Sequence, residues 1–182
     1  MTGESDDQML LTFGDPNVAA IEVEIEEPRD ENWVFGHFRL SVHGESIGDW
    51  DDVVAIRAVV NWWRSFVSES VHRWDEHFEG LAAVEVFEAV HGAAYGDTAG
   101  PETEIDDAYG RFHINHLGMS AFDPYVVLLV EPPGRGQWLL WRQENGIDSV
   151  HEAHLPAGTL QALGAQLAAA VDPTGEMGIP AP

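Results

Sequence analysis

In the stretch Val18–Glu26, Ala19, Ile21, Val23 and Ile25 alternate with Glu22, Glu24 and Glu26. A period of two sends the two sets to opposite faces of a β-strand, one for a core and one for water. Pro28 and the cluster Arg29-Asp-Glu-Asn32 interrupt this pattern. Trp33–His43 then predicts a second strand, with Val34, Phe38, Leu40 and Val42 on its apolar face. His43-Gly44-Glu45 reads as a tight hairpin turn into a short strand at Ser46–Ile47. Leu10–Phe13 reads as a strand ahead of the turn Gly14-Asp-Pro-Asn17. The chain therefore begins as an antiparallel meander.

The period next changes to that of a helix. Ile56, Val59, Val60, Trp63, Phe66 and Val67 recur at helical spacing up to about Glu69. Asp51 and Asp52 precede them and are suited to cap the N-terminus, where the helix dipole favours negative charge. A second helix is predicted over Glu76–Ala94, burying Phe78, Leu81, Val84, Phe87 and Val90 and stopping near Gly96. Asp97, Glu102, Glu104, Asp106 and Asp107 follow with no base among them, which marks residues 97–107 as an acidic surface loop. Strand patterns return at Tyr109–Asn115, Pro124–Glu131, Gln137–Gln143 and Ile147–Leu155. Pro132–Gly136 and Glu144–Gly146 supply their hairpin loops. A last helix, Pro156–Val171, carries Leu160, Leu163 and Leu167 on one stripe and ends at Asp172-Pro173.

This order of elements predicts the α+β class. A single domain over residues 10–171 would hold a mainly antiparallel sheet of about six or seven strands, covered on one face, with two central helices and a C-terminal helix. Residues 1–9 are expected to form a flexible acidic N-terminus and residues 172–182 a loose tail.

Composition sharpens the picture. The 182 residues include 32 acidic and 8 basic side chains, a net charge of −24, and every basic one is Arg. The length suits one domain. With no Cys there is no disulfide, no thiolate nucleophile and no thiolate-held metal. A pI near 4.3 excludes nucleic-acid binding by phosphate neutralisation, which needs clustered Lys and Arg. The start Met1–Asp7 is acidic, unlike a secretory leader. The longest purely apolar run, Val126–Val130, is far short of the ~20 residues that span a bilayer. A soluble cytoplasmic protein without membrane contact is expected.

Candidate chemistry is sparse. His113-x-x-His116 and His151-x-x-His154 have a metal-like spacing, but residues three apart on a strand point to opposite faces. Glu22, Glu24 and Glu26 lie at separations that suit paired-carboxylate chemistry, roughly 5–10 Å, yet they also describe any solvated strand face. Asp49-Trp-Asp-Asp52 lacks the spacing of a calcium loop. No phosphate-binding glycine loop or nucleophile elbow is present. No cofactor and no catalytic residue are assigned. Of the seven Trp, Trp62 lies beside the core position Trp63, about 100° round the helix, and is the more exposed of the two. Trp33 and Phe35 sit opposite the apolar face of their strand.

The acidity is concentrated at the front. Residues 1–52 carry 14 acids and 2 Arg (net −12), residues 53–110 carry 11 and 3 (−8), and residues 111–182 carry 7 and 3 (−4). Such a field steers a cationic partner toward the protein. It is also what a halophilic type of protein displays without any partner.

Several short phrases favour the partner. Phe13-Gly-Asp-Pro-Asn17, Ala20-Ile-Glu-Val-Glu-Ile25, Trp33-Val-Phe-Gly-His-Phe38 and Ile47-Gly-Asp-Trp-Asp51 resemble the opening of the immunity protein 42 family, bacterial antitoxins encoded beside polymorphic toxins. Gln137-Trp-Leu-Leu-Trp-Arg142 and the junction Leu155-Pro156 resemble its end. The segment from Asn61 to Asp123 holds no such phrase. The resemblance implies a cytoplasmic, non-enzymatic inhibitor that binds a cognate toxin domain, and it carries no catalytic residue across. On this reading Glu22, Glu24, Glu26, Asp49, Asp51 and Asp52 face a basic surface of the toxin, and Trp50 and Trp62 are the anchors. The alternative is a small enzyme using carboxylate and His clusters, with or without a metal.

Overall fold

The computed structural model describes residues 10–26, 34–95, 109–114, 120–144 and 149–172. Trp33, His116, the acidic stretch 97–107 and both chain ends expected to be loose (1–9 and 173–182) lie outside them. Two antiparallel sheets are built, where one was expected. The first contains β1 (Leu10–Asp15), β2 (Ala19–Ile25), β3 (Phe35–Val42) and β4 (Glu45–Ile47) in that order, with β5 (Val54–Ala55) also paired to β3. The second has the order β6 (Tyr125–Val130), β7 (Gln137–Gln143) and β8 (His151–Leu155). The helices are α1 (Ile56–Ser68), α2 (Ala83–Tyr95) and α3 (Thr159–Val171).

The meander follows the sequence pattern. Ile21 faces Leu40 and Val23 faces Phe38 across β2 and β3, and all four are fully buried. β3 turns into β4 through His43 (φ 51°) and Gly44 (φ 81°), the pair of left-handed residues that a two-residue hairpin requires. The inner face of this sheet shares one core with Val59, Val60, Trp63 and Phe66 of α1 and with Leu160, Leu163 and Leu167 of α3. Val127, Leu129, Leu139, Trp141, Ala153 and Leu155 of the second sheet close the same core.

In that second sheet β6 and β7 are buried on both faces. Val126, Leu128, Val130, Trp138 and Leu140 form a further core with Phe78, Val86, Phe87, Val90 and Phe112. A strand covered twice reads as an unbroken apolar run, which explains Val126–Val130.

Several local expectations are corrected. Asp51 and Asp52 do not cap α1: its N-cap is Ala55, with no side-chain hydrogen bond. The chain first extends as β5, and the Ile56 amide donates to the Val34 carbonyl (3.0 Å). The helix expected from Glu76 is broken into a single 3-10 turn, Glu76–Phe78, and α2. Between them Gly80 holds φ +80°, a backbone state outside any right-handed helix. The break resets the helical phase, so Leu81 and Val84 are exposed (37% and 50%) while Val86, Phe87 and Val90 are buried. Tyr109–Asn115 is not a strand among its described residues. It forms a 3-10 turn at Gly110–Phe112, then one bridge, His113 to Leu128. The last helix begins at Thr159, after Gly158 in the left-handed region. Asp172, the first residue of the expected loose tail, is buried.

Candidate partner-binding face

The outer face of the first sheet is built from alternate residues of β2 and β3. Antiparallel register sets Glu22 opposite Arg39, Glu24 opposite His37 and Ala20 opposite Ser41. Opposite charges directly across a strand pair attract, and here the contact is tight: Arg39 Nε donates to Glu22 Oε2 at 2.7 Å. Ser41 Oγ donates to the same oxygen at 2.6 Å. Glu22 is only 8% exposed, so the expectation that it stands on an open wet face is corrected. Its carboxylate is consumed by neighbours on β3.

Burial alone would raise the Glu22 pKa. The two hydrogen bonds and the Arg39 charge outweigh that and hold it below the ordinary carboxylate range. A folded-state pKa below the unfolded one gives stability that is present above about pH 4.3, the usual Glu value, and is lost as pH falls through the folded value. Glu22→Gln is therefore expected to flatten the acid side of the stability profile, measured by urea unfolding between pH 3 and 7. An unchanged acid limb would show that this pairing contributes nothing on folding.

The turn after β4 brings the remaining residues onto this face. Gly48 takes φ +117°, and a Cβ there would press on the Phe122 ring at 3.2 Å and Arg39 Cβ at 3.4 Å. Only Gly lets the chain cross so close to the sheet. The Asp49 amide donates to the Ala121 carbonyl (2.7 Å), Asp49 Oδ1 accepts from the Asp51 amide (3.0 Å), and Asp52 accepts from Ser120 Oγ. Trp50 folds back over β3: the Arg39 guanidinium carbon lies 4.6 Å from its ring centroid, and the His37 ring lies 5.7 Å away. His37 is also 3.3 Å from the Asp52 carbonyl and 3.7 Å from Glu26 Oε1.

The structure thus brings together seven of the eight residues singled out from sequence: Glu22, Glu24, Glu26, Asp49, Trp50, Asp51 and Asp52. Trp62 is not with them. It lies on α1, against the opposite side of the sheet, stacked on Phe66 (5.2 Å, 11°) and packed on the first core. There it lines a cleft of about 400 Å³ with Phe66, Arg73 and Arg111. Arg39, His37 and Ser41 were missed as members of the face. Their signal was available, because they occupy the odd positions of β3, opposite Phe38, Leu40 and Val42. Among the described residues no three His, Asp or Glu side chains converge to hold a metal ion, and no helix is long and apolar enough to cross a membrane.

The model of the family immunity protein 42 matches residues 9–169. The chain belongs to the immunity protein 42 family. The match runs through the segment 61–123, where no family phrase was legible. CdiI from Burkholderia dolosa AUO158 has a similar solved structure, with a TM-score of 0.60 and 13% sequence identity over 88% of this chain and 99% of that one. At that identity the likeness is one of fold. No curated protein matches the chain. Family membership gives a toxin-neutralising immunity role and leaves the surface that carries it to the geometry above.

Proposed function

We propose that the protein is a non-enzymatic immunity protein of the bacterial cytoplasm that binds and neutralises its cognate toxin domain through the outer face of the first sheet. The observation that carries this reading is how the basic groups of that face are used. Arg39 pairs with Glu22, and His37 is turned to Glu26 and the Asp52 carbonyl. Glu24, Glu26, Asp49, Asp51 and Asp52 then set the sign seen by a partner, and a basic protein surface is its complement. Added to the net −24, such a face accelerates encounter with a cationic partner.

Co-expression with the toxin domain encoded beside this chain tests the role: growth should be rescued, and a complex should be recovered. The surface is tested by replacing Asp49, Asp51 and Asp52 together with Asn, which keeps the acceptor oxygens that hold the turn. Association is expected to slow by about tenfold at low salt, with a flatter salt dependence, the effect of removing exposed charges that steer encounter. Stopped-flow rates at two ionic strengths check this. Equal association rates at both would place the interface elsewhere.

A further inference from the structure

Three side chains on the outer face form a chain of contacts that ends at Trp50. Ser41, 5% exposed, and Arg39 both donate to Glu22 Oε2, and the guanidinium carbon of Arg39 lies over the Trp50 ring, 4.6 Å from its centroid. A planar guanidinium can donate at its edge and stack through its face at once, and the ammonium of Lys cannot. Arg39 is therefore fixed by the sheet on one side and available as a shelf on the other. The ring it carries belongs to a turn pinned at Asp49, Asp51 and Asp52. Trp50 stays half-buried on this shelf, between Asp49 and Asp51 in the chain.

We propose that Trp50 is the central anchor of the toxin interface and that Arg39, locked by Glu22 and Ser41, is a positioning residue that presents the Trp50 ring to a cationic protein surface. This rests on the reading of the acidic face as the toxin-binding one. Binding energy concentrates in a few large residues, Trp and Arg foremost, while the charged surroundings set rate and specificity. An anchor already held in one orientation loses less conformational freedom on binding. The occupant is cationic because Asp49, Asp51 and Asp52 belong to the same turn as the ring, Glu24 of β2 stands opposite His37, Glu26 Oε1 lies 3.7 Å from that side chain, and the two basic groups, Arg39 and His37, are engaged within the face. Glu22 is thereby removed from the contact set and placed beneath it, as part of the support.

The test is a double-mutant cycle on the full chain, with the toxin domain encoded beside it as the probe. Trp50→Ala is expected to weaken the complex at least about 30-fold, a hot-spot effect, through faster dissociation with the salt dependence of association retained. Arg39→Lys keeps the charge and loses the shelf. It should weaken binding about tenfold with Trp50 present and by less than about twofold in the Trp50→Ala background, the non-additivity of coupled residues. Trp50→Phe, measured alongside with a thermal melt, separates lost contact from lost folding. Additive effects of Arg39→Lys and Trp50→Ala would overturn the positioning role. A Kd within twofold of wild type for Trp50→Ala would overturn the anchor. Failure of the wild-type chain to bind or rescue at all would instead remove the toxin-binding reading, and the anchor with it.

Discussion

Replacing Trp63 by Ala is expected to destabilise the protein by about 3–5 kcal/mol, the range for deleting a buried large aromatic. Trp63 is fully buried at the crossing of α1 and α3, edge-on to Trp62 and Phe66. Its ring fits because position 164 of α3 is Gly: a Cβ there would overlap the six-membered ring of Trp63. Gly164→Ala alone is therefore an overpacking change. Such changes destabilise by about 1–3 kcal/mol, against a gain of up to about 1 kcal/mol from helix propensity. In the Trp63→Ala background the clash is gone, and the same substitution should become neutral or stabilising. Denaturant unfolding of the four proteins measures the coupling. Equal costs of Gly164→Ala in both backgrounds would show that the glycine serves something other than this contact.

The second large effect concerns the end of α3. Arg64 of α1 meets Asp172 twice, Nη1 to Oδ2 at 2.6 Å and Nη2 to the backbone carbonyl at 2.9 Å. The two partners are unequal: the Asp172 side chain is 2% exposed and that of Arg64 is 33% exposed. Removing the cation takes the Arg64 charge away from a carboxylate with almost no access to water, a loss of about 3 kcal/mol or more. Removing the anion leaves a guanidinium that can reach solvent. Arg64→Ala is thus expected to destabilise more than Asp172→Asn. The reverse order in thermal or urea unfolding would contradict this account of the pair. The contact also fastens the end of the described chain to α1, 108 residues earlier.

The elements that could be foreseen were those with an unambiguous period. β2 and β3 alternate, and they bury Ile21, Val23, Phe38 and Leu40 as their pattern requires. α1 and α3 present Ile56, Val59, Val60, Trp63 and Leu160, Leu163, Leu167, all buried. The misread elements share a cause: a local backbone state overrode a plausible period. Gly80 breaks the second helix, and Ala55 is held in a strand by pairing with Phe35, so the helix starts later and without its acidic cap. Seven residues of the candidate face were legible in the sequence, and its β3 members Arg39, His37 and Ser41 and the role of each residue were not. Glu22 and Glu24 are two positions apart on one strand, and nothing in that spacing distinguishes a paired, buried carboxylate from an outward one.

From the amino-acid sequence alone come the class of the fold, the strongly acidic character and its concentration before residue 53, the apolar faces of β2, β3, α1 and α3, and the likeness to a family of immunity proteins. These depend on composition and on neighbours within a few positions, which the order of residues states directly. The tertiary structure decided the division into two sheets, the burial of β6 and β7 on both faces, and the chain of contacts from Ser41 through Glu22 and Arg39 to Trp50. It also set Trp62 apart from the acidic face, in the lining of a cleft. Each of these depends on which side chains meet across strands and helices distant in sequence, and register and packing set that only when the chain has closed on itself.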